Sequence, residues 1–221
     1  MSYWGVLSFI ISAYAFQMLA LYASERFIQA HEPRYKLEGH WYHAVIMALF
    51  SILAVLSPEK DIKLSSMLFA SLLYGFLTLF IFLDIERNWL PKCFTFSFIA
   101  VGAFYRTFTP VDDLAFIVVG VSILWAGMCL FRVYINRRAG GDVFGLGDVY
   151  LIVGLAVWFS VFAVLKLIIV ATGVAILFLL IKRYRFRAYW YQQNEYRGVP
   201  FAPFLCGVAA IWGVLPVDLF S

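Results

Sequence analysis

Two aspartates interrupt a chain that is otherwise poor in charge, and each lies where a long apolar segment ends or begins. Asp84 follows the apolar stretch 64–83 in FLDIERNWLPK, and Asp148 precedes the apolar stretch 149–163 in GLGDVYL. An ionisable side chain at the edge of hydrocarbon is costly, so each is a candidate functional residue. Two carboxylates held close together share one proton, because both cannot easily ionise. Such a pair suits peptide hydrolysis: the ionised member draws a proton from water, and the protonated member polarises the peptide carbonyl.

Asp148 also has a structural interpretation. Aspartate is a good N-cap, and a glycine turn ahead of a helix is ordinary, so this residue could simply cap the helix that follows. In the catalytic interpretation, Gly145 and Gly147 carry no side chain and would let a substrate backbone approach closely. The residue pattern leaves both interpretations open.

The composition indicates a membrane protein. The 221 residues are 64% hydrophobic and 14% charged, whereas a soluble domain carries about 25% charged residues. Apolar stretches of about 20 residues are long enough to cross a bilayer as helices. The sequence therefore predicts an all-α fold, a polytopic membrane helical bundle of about eight transmembrane helices in a single integral membrane domain, 1–221. The predicted spans are 3–24, 41–57, 64–83, 93–109, 113–132, 149–163, 165–182 and 200–219.

The basic residues predict the orientation of these spans. If the N-terminus is outside, thirteen of the seventeen Lys and Arg residues fall in cytoplasmic loops, as the positive-inside rule favours. Both termini are then outside, and both aspartates face the cytoplasm. Topology accounts for the net charge of +4, so we expect membrane lipid and no nucleic acid as a partner.

The sequence predicts no metal site and no cofactor. His40 and His43 could share a helix face, but only Glu38 is near them as a further ligand, which favours interfacial histidines over a metal centre. The cysteines are far apart, and no CxxC occurs, so small buried side chains are favoured over a disulfide or zinc site. These cysteines are Cys93, Cys129 and Cys206.

Three stretches together resemble the type IV prepilin peptidase family, which consists of membrane aspartic proteases with a GxGD motif. In DIERNWLP, 84–91, the aspartate is followed by an acid two places on and by Leu-Pro six and seven places on. GLGDVYL, 145–151, matches GxGDxxL, and VPFAPFL, 199–205, is similar to the segment that opens the family's last helix. The resemblance covers 64–220, the predicted peptidase core, and leaves 1–63 as two additional N-terminal helices.

The resemblance implies a function and a set of site residues. The family removes the basic leader of prepilins or pseudopilins after a glycine, at the cytoplasmic face of the cell inner membrane. The single N-terminal hydrophobic helix of the substrate stays in the bilayer. Asp84 and Asp148 match the catalytic aspartates. The residues expected to support the site or bind substrate are Gly145, Gly147, Glu86, Pro200, Phe201 and Pro203, although the two prolines could merely start the last helix.

The sequence also departs from the family pattern, and other functions remain open. The predicted link 24–39 is short and has no cysteine, so this is a short form without the cytoplasmic domain associated with methylation, and N-methyltransferase activity is not expected. Tyr150 stands where the family often has lysine. The alternatives to a protease are a transporter or channel that uses its aspartates to move ions, and a structural component of a pilus or secretion assembly. The sequence does not identify the prepilin.

Helix dipoles predict that the aspartates share their proton unequally. Asp148 lies at a helix N-terminus, which favours an anion, whereas Asp84 lies at a C-terminal end, which disfavours one. The sequence therefore predicts Asp148 as the usual anion and Asp84 as the usual acid.

Overall fold

The structure, a computed structural model, describes residues 3–33, 41–56, 64–108, 114–185 and 200–214. All regular secondary structure in these residues is helical. The helices are α1 (Tyr3–His31), α2 (Trp41–Leu56), α3 (Leu64–Arg87), α4 (Lys92–Arg106), α5 (Leu114–Ala139), α6 (Leu146–Trp158), α7 (Val161–Arg185) and α8 (Ala202–Trp212).

The all-α prediction and the count of eight helices are confirmed for the described part of the chain. Three of these helices contain segments long and apolar enough to cross a membrane: Met67–Arg87, Ala115–Ala139 and Val161–Tyr184. We therefore treat the protein as an α-helical membrane protein.

Four helices, α1, α3, α5 and α7, are longer than predicted. The predicted ends at 24 and 132 followed the loss of apolar residues, but α1 continues to His31 and α5 to Ala139. Polar side chains support the extension of α1, where Gln29 donates to the Glu25 carboxylate one turn earlier at 3.0 Å. The link before α2 is accordingly shorter than the predicted 24–39. Helices α4 and α8 end earlier than predicted, at Arg106 and Trp212, and the residues after them, 107–108 and 213–214, form turns. The predicted limits at 57, 109, 113 and 219 themselves lie outside the described residues.

The break between α6 and α7 was predicted four residues too late. It lies at Phe159 and Ser160 rather than at 164. The Ser160 hydroxyl accepts a hydrogen bond from the Ala163 amide at 3.1 Å, as an N-cap of α7 does. At the other side of the break, Arg106 donates to the last carbonyls of α6, those of Val157 at 2.8 Å, Trp158 at 2.9 Å and Phe159. A long-range arginine and a serine cap therefore end one apolar helix and start the next.

The first of two compact units comprises residues 1–87 and 209–221. In it, α1 packs along α3, and α2 packs against both helices. The chain of α1 approaches α3 closely at Gly75, where an added Cβ would lie 3.4 Å from the Cβ of Phe16. Tyr74 donates to the Ala210 carbonyl at 2.9 Å, which ties the end of α8 to α3 within this unit. The C-terminal half of α3 is its most buried stretch and leads directly to Asp84.

The second unit comprises residues 88–208 and is built around α6. This helix packs against α4, α5 and α7, and Val149 and every residue from Leu151 to Trp158 are buried. The Trp158 indole donates to the Phe98 carbonyl at 3.1 Å and lies over Gly102, where an added Cβ would come within 2.7 Å of the ring. The helix that begins with the GxGD segment is thus the buried centre of its unit.

Candidate active site

Asp84 lies in the last turn of α3. Its helix continues to Arg87, and its side chain is buried, at 5% exposure. The next residue, Asn88, has a φ of 51°, a left-handed conformation that asparagine tolerates and that stops a helix. Asp84 is therefore close to a C-terminal helix end, as the sequence predicts, but three residues before it.

The residues that follow Asp84 are tied to the other helices of the first unit. The Tyr42 hydroxyl donates to Oε1 of Glu86, and Nε2 of His43 lies 3.3 Å from the same oxygen. The Glu86 side chain is 12% exposed and that of His43 only 5%. Arg87 forms an ion pair with Glu32, directly after α1, at 2.6 Å. The last turn of α3 is thus held by two sets of polar contacts.

Asp148 is the third residue of α6 and is not its N-cap. The N-cap is Gly145, whose φ of −72° and ψ of 148° are extended, and no side chain caps this end. A side chain at the third position can reach back to the N-cap amide, as in one half of a capping box. The Asp148 carboxyl does so: its Oδ2 lies 3.0 Å from where a Cβ on Gly145 would be, and the Gly145 backbone hydrogen-bonds to it.

The environment of Asp148 makes its charge less favourable than the helix position suggests. The residue precedes the apolar run 149–163 and is half-buried. Burial raises the pKa of this carboxyl to about 6, and the hydrogen bond from the Gly145 backbone acts in the opposite direction with a smaller effect. Burial therefore outweighs the N-terminal position, which favours the anion. A carboxyl that titrates near neutrality is suited to acid–base chemistry.

Gly147, the residue before Asp148, lies close to Leu90, which belongs to the motif DIERNWLP, 84–91. A Cβ on Gly147 would lie 2.5 Å from the Cβ of Leu90 and 2.8 Å from its carbonyl oxygen. Leu90 thus fills the space beside Gly147. Leu90 and Gly147 both belong to the second unit. The structure gives Gly147 a packing role, while the approach of a substrate backbone at Gly145 and Gly147 stays a prediction.

A polar clamp holds the loop that leads into α6. The Asn136 amide oxygen accepts from the backbone N–H groups of Val143 at 3.1 Å and Phe144 at 2.9 Å, and its nitrogen donates to the Phe144 carbonyl and to Asp142. Arg132 donates to the same carbonyl at 3.1 Å and pairs with Asp142 at 3.0 Å. We call Asn136 and Arg132 the loop clamp. It fixes the two residues before Gly145 onto α5.

Helix α8 begins within the motif VPFAPFL, 199–205. Pro200 and Phe201 precede this helix and Pro203 is its second residue, a position at which proline costs no hydrogen bond. The Phe201 carbonyl accepts from the amides of Phe204 and Leu205 at 3.1 and 3.2 Å. These contacts give the prolines a role in starting the helix, and their predicted part in substrate binding stays a prediction.

The sequence predictions found the aspartates but not the side chains that hold them. Asp84 and Glu86 lie in the first unit, and all the other predicted site residues lie in the second. His43 was assigned to the membrane interface, yet it contacts Glu86; His40 and Glu38, considered with it, lie outside the described residues. The loop clamp had one visible signal, an asparagine and an arginine that close an apolar helix just before a glycine-rich loop.

In the comparisons with known proteins, one family matches this chain. The model of the type IV leader peptidase family matches residues 71–181, which is 111 of the 221 residues and thus half of the chain. Asp84, Leu90 and the GxGD segment all lie within the match, whereas 199–205 lies beyond it. Searches of curated proteins and of solved structures give no match.

Proposed function

The chain belongs to the type IV leader peptidase family, and from this premise we propose that it cleaves the basic leader of prepilins or pseudopilins at the cytoplasmic face of the inner membrane. The observation that carries the proposal is that both aspartate motifs fall within the family match. Family membership favours a membrane aspartic protease over the transporter and the scaffold.

The proposed chemistry uses Asp84 and Asp148 as a pair that holds one proton. The charged carboxylate takes a proton from water as the water oxygen attacks the scissile carbonyl carbon. The neutral carboxyl hydrogen-bonds to the carbonyl oxygen and stabilises the charge that develops there. Collapse of the tetrahedral intermediate breaks the C–N bond, and the leaving amine receives a proton from the pair.

The proposed substrate has a basic leader followed by a single hydrophobic helix. Such a helix stays among the apolar spans, so that the cleavage site is presented at the membrane boundary, where both aspartates are predicted to lie. The cytoplasmic assignment rests on the distribution of basic residues. Single cysteines introduced at Arg137 and Asp61 should therefore label from opposite sides of the membrane; labelling from one side would overturn it.

The direct test is co-expression with candidate prepilins. The wild-type protein should shorten a prepilin to its mature size, whereas Asp84→Asn and Asp148→Asn should each abolish cleavage while the protein still accumulates in the membrane. Asp142→Asn is the matched control, since this acid lies in the loop that precedes α6 but is exposed and paired with Arg132. Normal processing by either folded Asp84 or Asp148 variant would refute the catalytic pair.

A further inference from the structure

The carboxylate two residues after Asp84 is occupied by contacts from α2. Tyr42 donates to Glu86 and His43 lies 3.3 Å from the same oxygen, in a place where both His43 and Glu86 are largely buried. His43 also packs edge-on against Phe82 at 4.9 Å between ring centroids. A carboxylate in these surroundings is poorly placed to bind a positive charge on a substrate, because two α2 side chains already contact it.

The last turn of a helix needs such support. Its final carbonyl groups have no partner within the helix, and helix ends open more readily than helix centres. Here the turn that contains Asp84 is tied to α2 through Glu86 and to the end of α1 through the pair of Arg87 with Glu32. Both ties come from residues outside the family match, 71–181.

We propose that Tyr42 and His43 are positioning residues, which hold Asp84 in place by anchoring Glu86 at the end of α3. Helices α1 and α2 then contribute to peptidase activity. Glu86 contributes by fixing the end of α3, and it does not bind the leader. The kinetic part of this inference rests on the proposed leader peptidase function.

The kinetic test separates positioning from leader binding. In Tyr42→Phe and Glu86→Gln, kcat should fall about tenfold, the equivalent of one hydrogen bond to a charged group, and it should also fall in His43→Gln, with KM unchanged in all three. The loss should be the same for a prepilin with a basic leader and for one whose leader is neutral. An increase in KM that is confined to the basic leader would instead show that Glu86 binds substrate, and it would overturn the inference.

A double-mutant cycle tests whether the residues act through one contact. Because Tyr42 acts through Glu86, and alanine leaves the Tyr42 hydroxyl no acceptor at position 86, Tyr42→Phe combined with Glu86→Ala should be no slower than Glu86→Ala alone. Multiplied losses of kcat would contradict this. The matched controls, which should leave kcat unchanged, are Tyr134→Phe and His31→Gln, in which an exposed residue receives the same substitution.

A measurement without substrate keeps the inference independent of the proposed function. In Tyr42→Phe, the backbone amides of residues 84–87 should exchange with deuterium faster than in the wild type, while those of 74–80, deep in α3, should not change. Unchanged exchange at 84–87 in both Tyr42→Phe and His43→Gln would overturn the anchoring. If wild type cleaves no prepilin but exchange changes as expected, the function proposal fails and the anchoring stands.

Discussion

The two aspartates are held by supports of opposite kinds. The last turn of α3, which contains Asp84, is tied by side chains 44 and 55 residues away in sequence, from α2 and the end of α1. The loop before Asp148 is tied by α5 residues six to twelve positions from their partners. The support of Asp84 thus comes from distant helices, whereas that of Asp148 combines a local clamp with the contact between Gly147 and Leu90.

The family match covers these supports unequally. The loop clamp, Leu90 and the GxGD segment all lie within 71–181. The support of Asp84 comes from Tyr42, His43 and Glu32, all before that range.

Among the substitutions that test these supports, Gly147→Ala should reduce cleavage the most. The new methyl carbon would lie within 3 Å of the Cβ and carbonyl oxygen of Leu90. The backbone fixes both atoms, so a side-chain rotation cannot remove the clash. Either α6 or the Leu90 segment must move, and a displacement of about 1 Å at a catalytic group can cost on the order of 100-fold in rate. We expect a loss of cleavage of that size, together with about 1–3 kcal/mol of destabilisation from overpacking.

Gly141→Ala is the matched control for this substitution. It adds the same methyl group in the loop before α6, where nothing lies within 4 Å of the new carbon. It should retain wild-type cleavage. Full activity of Gly147→Ala would show that the contact with Leu90 does not position Asp148, and the comparison would then rest on the loop clamp alone.

Asn136→Ala should have a moderate effect. It removes four hydrogen bonds to the loop and leaves the loop backbone to solvent or to Arg132. Because the loop is at the surface, water replaces part of this bonding, and we expect about a tenfold loss of kcat. The exposed neighbour Arg138, changed to Gln, should cleave as wild type does. An equal loss in both variants would point to a general effect on α5.

The sequence was sufficient for the features that depend on local pattern. Hydrophobic runs predicted eight helices, since a membrane-crossing segment must satisfy its own backbone hydrogen bonds. They misplaced the break at Phe159 and Ser160, because the arginine that ends α6 comes from α4, about 50 residues earlier in the chain. Helix limits in an apolar run depend on such distant partners, and composition does not contain them.

In the candidate site, too, local pattern predicted some residues and missed the contacts that come from distant parts of the chain. Spacing and motif identified Asp84 and Asp148, and the C-terminal position of Asp84 followed from the charge change after 83. The assignment of His43 to the membrane interface missed its contact with Glu86, because nothing in a single sequence links residue 43 to residue 86. The burial that raises the pKa of Asp148 was missed for the same reason: it comes from the packing of other helices around the start of α6.

The pH dependence of cleavage tests whether burial or the helix N-terminus controls the charge on Asp148. If Asp148 is the member that must be charged, its raised pKa places the acid limb of kcat/KM near pH 6 rather than near 4. Activity should then fall as the pH drops below 6, by about tenfold per unit well below that value. An acid limb below pH 5 would show that burial does not control the titration, and the N-terminal position of α6 would dominate instead.

The same pKa shift has a consequence for stability, with a definite sign. The folded protein holds the Asp148 proton more tightly than the unfolded chain does, so this group's contribution to stability is greatest at low pH and is lost as the pH rises through about 6. Asp148→Asn mimics the neutral form at every pH. Relative to wild type, its melting temperature in detergent should therefore increase between pH 4 and pH 8. A relative melting temperature that decreases over this interval would mean that α6 stabilises the charge on Asp148, as its dipole alone predicts.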